Sequence, residues 1–257
     1  MARLLLESEE VIRLLLNTSK VKTDPKGRDR RIALYMAAEK GYKAVIKLLL
    51  DISKVNTDPK AENGRTALYI AAAYRHEAVI KLLLNTSKVN ADPKDRAGQT
   101  ALHMAVENGH KAVVKLLLNT TKVNAGTKDK NRQTALYSAA ANGHEAVVKL
   151  LLDTGKVDAN AQGWYERTAL HSAATYRHKA VVKLLLNTSK VNANPKDRHR
   201  ETALHLAATY RHKAVVKLLL DTSKVDAGTK DKNGQTALHI AAKNRREAVV
   251  KLLSLAS

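Results

Sequence analysis

The sequence predicts an all-α repeat solenoid, in which short helix–turn–helix units stack on one another. The first observation is a threonine that recurs every 34 residues, at Thr66, Thr100, Thr134, Thr168, Thr202 and Thr236. The second is a leucine triplet that recurs in step, at Leu48–Leu50, Leu82–Leu84, Leu116–Leu118, Leu150–Leu152, Leu184–Leu186 and Leu218–Leu220. A fixed period of this length is typical of repeat arrays whose units pack on their neighbours.

The segment from Thr202 to Ala208 predicts the first helix of one unit. Thr202 is a good N-cap, because its hydroxyl can accept a hydrogen bond from a backbone N–H that the first helical turn leaves unpaired. Leu204, Ala207 and Ala208 follow at helical spacing and form one narrow apolar stripe. Because the alanines are small, a neighbouring helix can approach this stripe closely.

The second helix of the unit follows a break at residues 210–212. We expect Val215, Leu218 and Leu219 on its apolar face and Lys217 on the opposite face. Two helices this short cannot bury enough surface to be stable alone, so the units must stack.

Three motifs indicate the kind of repeat. They read Thr-Ala-Leu-His-x-Ala-Ala, Asn-Gly-His and Ala-Val-Val-Lys-Leu-Leu-Leu, and they resemble the ankyrin repeat over residues 27–257. Tetratricopeptide arrays also repeat at 34 residues, but the Trp and the Leu-Gly pair of their first helix are absent here. Two features depart from the usual ankyrin pattern: Ala replaces the Pro after the threonine, and the period is 34 instead of 33. The link Thr154–Asp158 is similar to that of fungal ankyrin arrays.

The resemblance implies β-hairpin fingers that project between the helical units. They would lie in links such as residues 91–98, where Asp, Pro and Gly predict turns. Residues 1–26 predict a partial N-terminal repeat with only a second helix and its link. Seven units then follow over residues 27–257, at 27–60, 61–94, 95–128, 129–162, 163–196, 197–230 and, truncated, 231–257. Because the start is a poor cap, we expect the chain to be a piece of a longer array.

The formal net charge of +21 invites a nucleic-acid interpretation. Nearly half of the basic residues, however, are lysines copied once per repeat. One column lies on the second helix, at Lys47, Lys81, Lys115, Lys149, Lys183, Lys217 and Lys251. Another follows that helix, where a cation suits the carbonyl end of the dipole, at Lys20, Lys54, Lys88, Lys122, Lys156, Lys190 and Lys224. A third lies at the finger base, at Lys26, Lys60, Lys94, Lys128, Lys196 and Lys230. This copying favours a solvated basic face over a nucleic-acid surface.

The chain has ten histidines and no cysteine, and nine of the histidines fall in two columns. The first column holds His103, His171, His205 and His239, at a place where other copies have Tyr35, Tyr69 and Tyr137. The second holds His76, His110, His144, His178 and His212. Because tyrosine would not serve zinc as histidine does, we predict hydrogen-bonding and capping roles. We find no catalytic motif, secretory signal or membrane span, so we predict no enzyme, cofactor, metal site or membrane partner.

Recognition residues are expected at the positions that the copies do not share. These positions are the finger tips, at residues 27–30, 61–64, 129–132, 163–166 and 197–200, and the ends of the first helices, at residues 39–40, 73–74, 107–108, 175–176, 209–210 and 243–244. In ankyrin arrays, which this chain resembles, these places form the concave face that meets partners. The alternative is neutral variation of exposed loops.

Two features narrow the predicted partner-binding set. Trp164, the one tryptophan, lies beside Tyr165 on a finger whose counterparts are polar, and Arg198 and His199 lie at the next finger tip. Such aromatic residues dominate binding hot spots, although the two rings could instead pack on a neighbouring finger.

The second feature is a Tyr-Arg pair at the end of three first helices. The pairs are Tyr74-Arg75, Tyr176-Arg177 and Tyr210-Arg211, where other copies have Gly41, Gly109 and Gly143 as the second residue. Glycine fits the left-handed conformation that closes a helix, so arginine there breaks a local rule. We expect Tyr176, Arg177, Tyr210 and Arg211 to form an aromatic–basic patch near Trp164, suited to an acidic or aromatic peptide or to stacked bases.

These observations together predict a protein–protein interaction module that binds an acidic protein or peptide through finger tips and first helices. We expect a monomer or part of a larger multidomain protein. Two alternatives stay open. One is polyanion or nucleic-acid binding by the basic array. The other is a designed or consensus-like scaffold without a specific natural partner, which the near-identity of the copies would suit.

Overall fold

The computed structural model describes residues 28–51, 60–61, 63–87 and 89–255. These residues form fourteen α-helices and one 3₁₀ turn, and no strand is assigned among them. The helices are α1 (Arg28–Lys40), α2 (Lys43–Asp51), α3 (Ala67–Ala73), α4 (Glu77–Asn85), α5 (Ala101–Glu107), α6 (Lys111–Leu118), α7 (Ala135–Ala141), α8 (Glu145–Asp153), α9 (Ala169–Thr175), α10 (Lys179–Asn187), α11 (Ala203–Thr209), α12 (Lys213–Leu220), α13 (Ala237–Lys243) and α14 (Glu247–Ser254). The predicted partial repeat at residues 1–26 lies outside the described ranges.

The predicted threonine caps are confirmed at the start of every first helix from α3 onward. The Thr66 hydroxyl accepts a hydrogen bond from the Tyr69 N–H at 3.3 Å, and the Thr134 hydroxyl accepts one from the Tyr137 N–H at the same distance. Each of these helices begins one residue after its threonine. The 34-residue period of the sequence is therefore also the period of the helices.

The helices form two compact units, one ending at Val123 and the other beginning at Asn124. Within each unit, first helices pack on first helices, and second helices pack on second helices. In α11, Leu204, Ala207 and Ala208 are buried, as the sequence predicts. The array in each unit therefore has the stacked architecture of the predicted all-α repeat solenoid.

The buried face of the second helix differs slightly from the prediction. In α12, Val215, Val216 and Leu219 are buried, whereas Leu218 is only half-buried. The helix contacts both its own first helix and the neighbouring second helices, so its apolar face is wider than one stripe. Lys217 is exposed on the other face, as predicted.

The first histidine column joins a repeat to the next one at His171 and His205. Nδ1 of His171 accepts a hydrogen bond from the Thr168 N–H at 3.1 Å, and its Nε2 donates to the Glu201 carbonyl at 3.0 Å. His205 makes the equivalent contact to the Gln235 carbonyl at 3.2 Å. Burial lowers the pKa of His171 to about 4 and also lowers the pKa of His205. Both ring nitrogens of His171 are therefore used in a neutral, structural side chain.

The second histidine column joins a repeat to the preceding one at His76, His110, His178 and His212. Nε2 of His76 donates to the Glu39 carbonyl at 2.8 Å, and Nε2 of His178 donates to the Ala141 carbonyl at 2.8 Å. These carbonyls lie near the end of the preceding first helix, where no helical N–H is available to them. The ring thus satisfies the neighbouring helix instead of capping its own.

The lysine columns are partly structural. Nζ of Lys224 donates to the Leu186 carbonyl at 2.8 Å, and Nζ of Lys122 donates to the Leu84 carbonyl at 3.1 Å. The satisfied carbonyls belong to the preceding second helix and not to the lysine's own helix, because the link turns back past its neighbour. At the finger base, Nζ of Lys128 donates to the Gln162 carbonyl at 2.8 Å. The lysines on the second helices are exposed at every described position, and their ammonium groups make no hydrogen bond or ion pair with another described residue, whereas lysines of the other two columns contact backbone carbonyls of neighbouring repeats.

Candidate protein-binding surface

Six finger turns in the described part of the chain share one pattern of backbone hydrogen bonds. In the turn that starts at Asp95, the Asp95 N–H donates to the Gln99 carbonyl at 2.9 Å and the Gly98 N–H donates to the Asp95 carbonyl at 3.0 Å. The same two bonds close the turns that start at Ala61, Asp129, Gly163, Asp197 and Asp231. We number these turns fingers 2 to 7 after their repeats: 61–65, 95–99, 129–133, 163–167, 197–201 and 231–235. The expected β-hairpins are thus tight turns with too few bonds to form strands.

The fourth residue of each of fingers 2 to 7, which we call the tip residue, has a left-handed backbone. Residues 28–30 of the finger tip expected at 27–30 belong to α1 instead. The tip residue is glycine in fingers 2, 3 and 7, but Arg132 (φ 59°), Glu166 (φ 61°) and Arg200 (φ 58°) take the same place in fingers 4, 5 and 6. A side chain in this conformation costs about 1–2 kcal/mol. Backbone strain of this kind clusters at functional sites. Among the described finger tips it occurs in three consecutive fingers, and it also occurs after the first helices at Arg75, Arg177, Arg211 and Arg245.

Finger 5 also lacks the aspartate whose side chain accepts backbone hydrogen bonds within fingers 4 and 6. In finger 6, Oδ1 of Asp197 accepts hydrogen bonds from the His199 N–H at 2.8 Å and the Glu201 N–H at 3.0 Å. Gly163 replaces that aspartate in finger 5, and residues Trp164–Glu166 form a 3₁₀ turn instead. Tyr165 is left-handed there (φ 55°), so two consecutive non-glycine residues carry strain.

An ion pair compensates by tying finger 5 to finger 6. Nε of Arg167 contacts Oδ2 of the buried Asp197 at 3.0 Å, and its Nη2 lies 3.6 Å from Oε2 of Glu201. The Arg198 N–H also donates to the Tyr165 carbonyl at 2.8 Å. Burial, together with the Asp197 charge, raises the pKa of Glu201. The two fingers therefore form one connected structure.

Four predicted binding residues meet on these two fingers. The rings of Trp164 and Tyr165 stack with centroids 5.7 Å apart, and Tyr165 also stacks on His199 at 6.2 Å. The guanidinium carbon of Arg198 lies 5.3 Å from the Tyr165 ring centroid. Trp164 and Tyr165 are nevertheless 52% and 45% exposed. Tyr165 thus packs on a neighbouring finger, Trp164 packs on Tyr165, and both rings still present an aromatic surface to solvent.

Fingers 4 and 5 are separated by a cavity. A backbone hydrogen bond joins each of three other finger pairs: Arg96 N–H to Asn63 carbonyl at 2.9 Å, Arg198 N–H to Tyr165 carbonyl, and Lys232 N–H to His199 carbonyl at 2.9 Å. Within the described residues, no such bond joins the Trp164 N–H to the Asn131 carbonyl. A cavity of about 420 Å³ lies there, lined by residues 130–132 and 163–166 and by Arg198.

The Tyr-Arg pairs at the helix ends have the conformation that the sequence predicts. Arg177 and Arg211 are left-handed, with φ of 65° and 64°. Tyr176 and Tyr210 are 59% and 50% exposed, and Tyr210 stacks on His212 at 6.2 Å. They lie at the same position of adjacent repeats, after α9 and α11.

A family model of ankyrin repeats matches the chain three times, over residues 34–126, 116–197 and 189–256. The chain belongs to the ankyrin repeat family. It is also similar to the crystal structure of the ankyrin repeat domain of Bcl-3, described as a unique member of the IkappaB protein family. That likeness has a TM-score of 0.78 at 24% identity and covers 86% of this chain and 97% of the other. At this identity it shows the ankyrin fold alone. A search of curated proteins finds no match.

Ankyrin repeats are generally protein–protein interaction modules, and the family is typically non-enzymatic. Among the described residues, no group of three or more His, Asp or Glu side chains is arranged to hold a metal ion. The helices that the structure describes are also too short or too polar for any of them to cross a membrane.

The structure brings only some of the predicted binding residues together. Trp164, Tyr165, Arg198 and His199 are in contact, whereas no ring contact, ion pair or hydrogen bond between described residues joins the Tyr-Arg pairs to this cluster. Tyr74 belongs to the N-terminal unit, where it is 55% exposed and stacks on His76.

Three residues of the cavity wall, Lys130, Arg132 and Glu166, belong to the variable finger tips expected from the sequence but lie outside the narrower predicted binding set. A signal for two of them was present. Aligning the tips shows glycine replaced at Arg30, Arg132, Glu166 and Arg200, so fingers 4 to 6 are three consecutive copies that lack it.

Proposed function

We propose that this ankyrin array recognises an acidic protein or peptide through fingers 4 to 6 and the ends of α9 and α11, which we call the finger surface. The contact cluster of Trp164, Tyr165, Arg198 and His199 carries this proposal. Tryptophan, tyrosine and arginine are the residues that most often dominate the energy of an interface. A half-exposed cluster of these types supports a binding role.

The finger surface is organised before any partner arrives. Two hydrogen bonds close each turn, and the Arg167–Asp197 pair holds finger 5 against finger 6. Because little conformational freedom is left to lose, most of the contact energy contributes to affinity. This rigidity favours recognition over a purely architectural role, and the strain at Arg132, Glu166 and Arg200 is of the kind that clusters at functional sites.

Polyanion binding is the second candidate, and the exposed lysine column on the second helices supports it. Such binding would be shared among unrelated polyanions and would fall steeply with salt, because each contact releases condensed counterions. A partner of the finger surface would depend instead on Trp164 and Tyr165.

A selection from a displayed library of random peptides, with the whole chain as bait, tests this function. The enriched peptides are then titrated against the wild type and against the double variant Trp164→Ala with Tyr165→Ala. We expect the double variant to bind at least about tenfold more weakly, as hot-spot truncations do. The matched control, Lys183→Ala with Lys217→Ala, changes only exposed second-helix residues and is expected to bind like the wild type.

Two results would overturn the proposal. One is that the enriched peptides bind the aromatic double variant as tightly as the wild type. The other is that no peptide is enriched over an unrelated bait. In either case the repeated packing of the helices would be architecture without recognition at the fingers.

A further inference from the structure

The cavity between fingers 4 and 5 has an excess of positive charge. Lys130, Arg132 and Arg198 line it, and Glu166 is the one carboxylate in its wall. None of the ion pairs between described residues involves these three cations. Arg167, on the same finger, is by contrast fully engaged with Asp197 and Glu201. The cavity wall therefore carries a net charge of about +2 that no neighbouring side chain neutralises.

One of these cations is already oriented. The guanidinium of Arg198 lies against the Tyr165 ring, at 5.3 Å from its centroid. A guanidinium held on a ring keeps its N–H edge available, and its planar fork fits two oxygens of a phosphate at once. Orienting the side chain in the free protein lowers the entropy lost on binding.

The cavity also has an aromatic wall. Trp164 and Tyr165 stack on each other and line the cavity together, yet about half of each side chain remains exposed. The space of about 420 Å³ lies within the size range of pockets that hold small ligands. The site therefore offers an aromatic face beside three cations.

We propose that this cavity binds a phosphorylated side chain of the peptide partner, with the phosphate beside Lys130, Arg132 and Arg198. The proposal rests on the proposed function of the finger surface and specifies the chemical group that this surface recognises in its partner. A phosphate monoester carries a charge of about −1.5 to −2 at neutral pH, which matches the cavity wall better than the single charge of a carboxylate. Phosphotyrosine fits best, because its ring can pack on the exposed face of Trp164.

The geometry favours a peptide over a nucleic acid. A single strand binds by stacking successive bases on exposed aromatic faces along a basic groove. Here the Tyr165 ring is already contacted by Trp164, His199 and Arg198, so it is not an open platform for a base. The cations also surround one cavity and do not follow a groove.

Fluorescence anisotropy with the whole chain and one labelled acidic peptide tests the proposal. The central residue of the peptide is phosphotyrosine, phosphoserine, tyrosine or glutamate. We expect phosphotyrosine to bind at least about tenfold more tightly than tyrosine or glutamate, since hydrogen bonds between charged groups are the strong ones. Trp164→Ala is expected to remove the preference for phosphotyrosine over phosphoserine.

Charge-matched variants distinguish phosphate binding in the cavity from general electrostatic attraction to a basic protein. Lys130→Ala, Arg132→Ala and Arg198→Ala together remove three charges from the cavity. Lys149→Ala, Lys183→Ala and Lys217→Ala remove three exposed charges from the second helices. We expect only the cavity variant to lose the gain from phosphorylation. Arg198→Lys, which keeps the charge but removes the fork, is expected to bind phosphotyrosine several-fold more weakly.

Three outcomes would overturn the inference. Phosphotyrosine could bind no better than glutamate, both triple variants could lose the same affinity, or adenosine 5′-monophosphate could compete as well as phosphotyrosine. If acidic peptides still bind in a Trp164-dependent way while phosphorylation adds nothing, this inference fails and the proposed function stands. If no peptide depends on Trp164, the proposed function fails as well.

Discussion

Fingers 3 and 5 are closed by the same two backbone hydrogen bonds but differ in backbone conformation and surface chemistry. In finger 3, the Asp95 carboxylate accepts hydrogen bonds from the Ala97 and Gln99 N–H groups at 2.8 Å each, and Gly98 takes the left-handed tip without strain. Finger 5 has no such aspartate, carries two left-handed side chains and exposes an aromatic pair. Because two backbone hydrogen bonds suffice to close the turn, its side chains are free to serve recognition.

The two fingers differ further in what joins them to their surroundings. Finger 3 is joined to finger 2 by the Arg96 N–H and a long Arg65–Asp95 pair at 3.8 Å, whereas finger 5 leaves a cavity on one side and is held on the other by the shorter Arg167–Asp197 pair at 3.0 Å. The backbone strain at the tip of finger 5 is thus tolerated because the repeated threonine, histidine and lysine contacts of the helices stabilise the rest of each repeat. The predictions below test this division between a stabilising interior and a strained, exposed tip.

The largest expected effect concerns the buried histidine that holds finger 6. Burial lowers the pKa of His171 to about 4 from an ordinary value of 6.5, so the unfolded chain binds the proton more readily than the folded one. The free energy of unfolding should therefore fall as pH drops from about 6.5 to about 4, by up to about 1.4 kcal/mol per pH unit for this residue.

Urea unfolding at several pH values measures this effect. The matched control is His171→Tyr, because other copies have tyrosine at this repeat position, as at Tyr69 and Tyr137. We expect the variant to lose less stability than the wild type over this pH range. Identical pH profiles for the two proteins would mean that His171 is not buried in its neutral form.

The next effect concerns a tip that keeps its glycine. Gly64 has φ of +81°, and a Cβ there would approach the Arg96 backbone nitrogen and the Asp95 Cα at 3.1 Å each. Gly64→Ala should destabilise the protein by about 1–2 kcal/mol through the left-handed strain alone. Chemical unfolding measures the change in the free energy of unfolding. A change that is zero within error would show that the finger backbone adapts freely to a side chain at this position.

The reverse substitution should stabilise the strained tip. Arg132→Gly removes a left-handed side chain, and the gain is reduced because glycine also gains freedom in the unfolded chain. We expect a net stabilisation of about 0.5–1 kcal/mol, together with weaker binding of the phosphotyrosine peptide. Arg132→Gly that is less stable than the wild type would contradict the view that this tip trades stability for recognition.

The sequence predicted most of the fold, because residues that recur every 34 positions make the same helix contacts in each repeat. Thr66 and Thr134 cap as expected, and the left-handed Arg177 and Arg211 follow from their alignment with glycine. The cavity could not be predicted. It lies where, among the described residues, no bond joins the Trp164 N–H to the Asn131 carbonyl, and such tertiary spacing has no local sequence signal. The contact of Lys224 with the preceding helix was missed for the same reason.

The smallest effect is that of salt on stability. The exposed lysines of the second helices recur once per repeat, and stacked helices lie roughly 8–10 Å apart, close to the Debye length of about 8 Å at physiological salt. Raising the salt from low to moderate concentration should therefore increase the Tm by a few degrees. A Tm that falls or stays flat would show that repulsion within this column is negligible.

Binding of labelled single-stranded nucleic acid, duplex nucleic acid and heparin across a salt series tests the central claim most directly, because it compares scaffold charge with finger chemistry. The wild type is measured beside the two charge-matched triple variants, in the cavity and on the second helices. We predict weak binding that both variants reduce equally, since only the total charge matters to a polyanion. Tight, steeply salt-dependent binding that only the cavity variant loses would contradict the account and make the finger surface a nucleic-acid site.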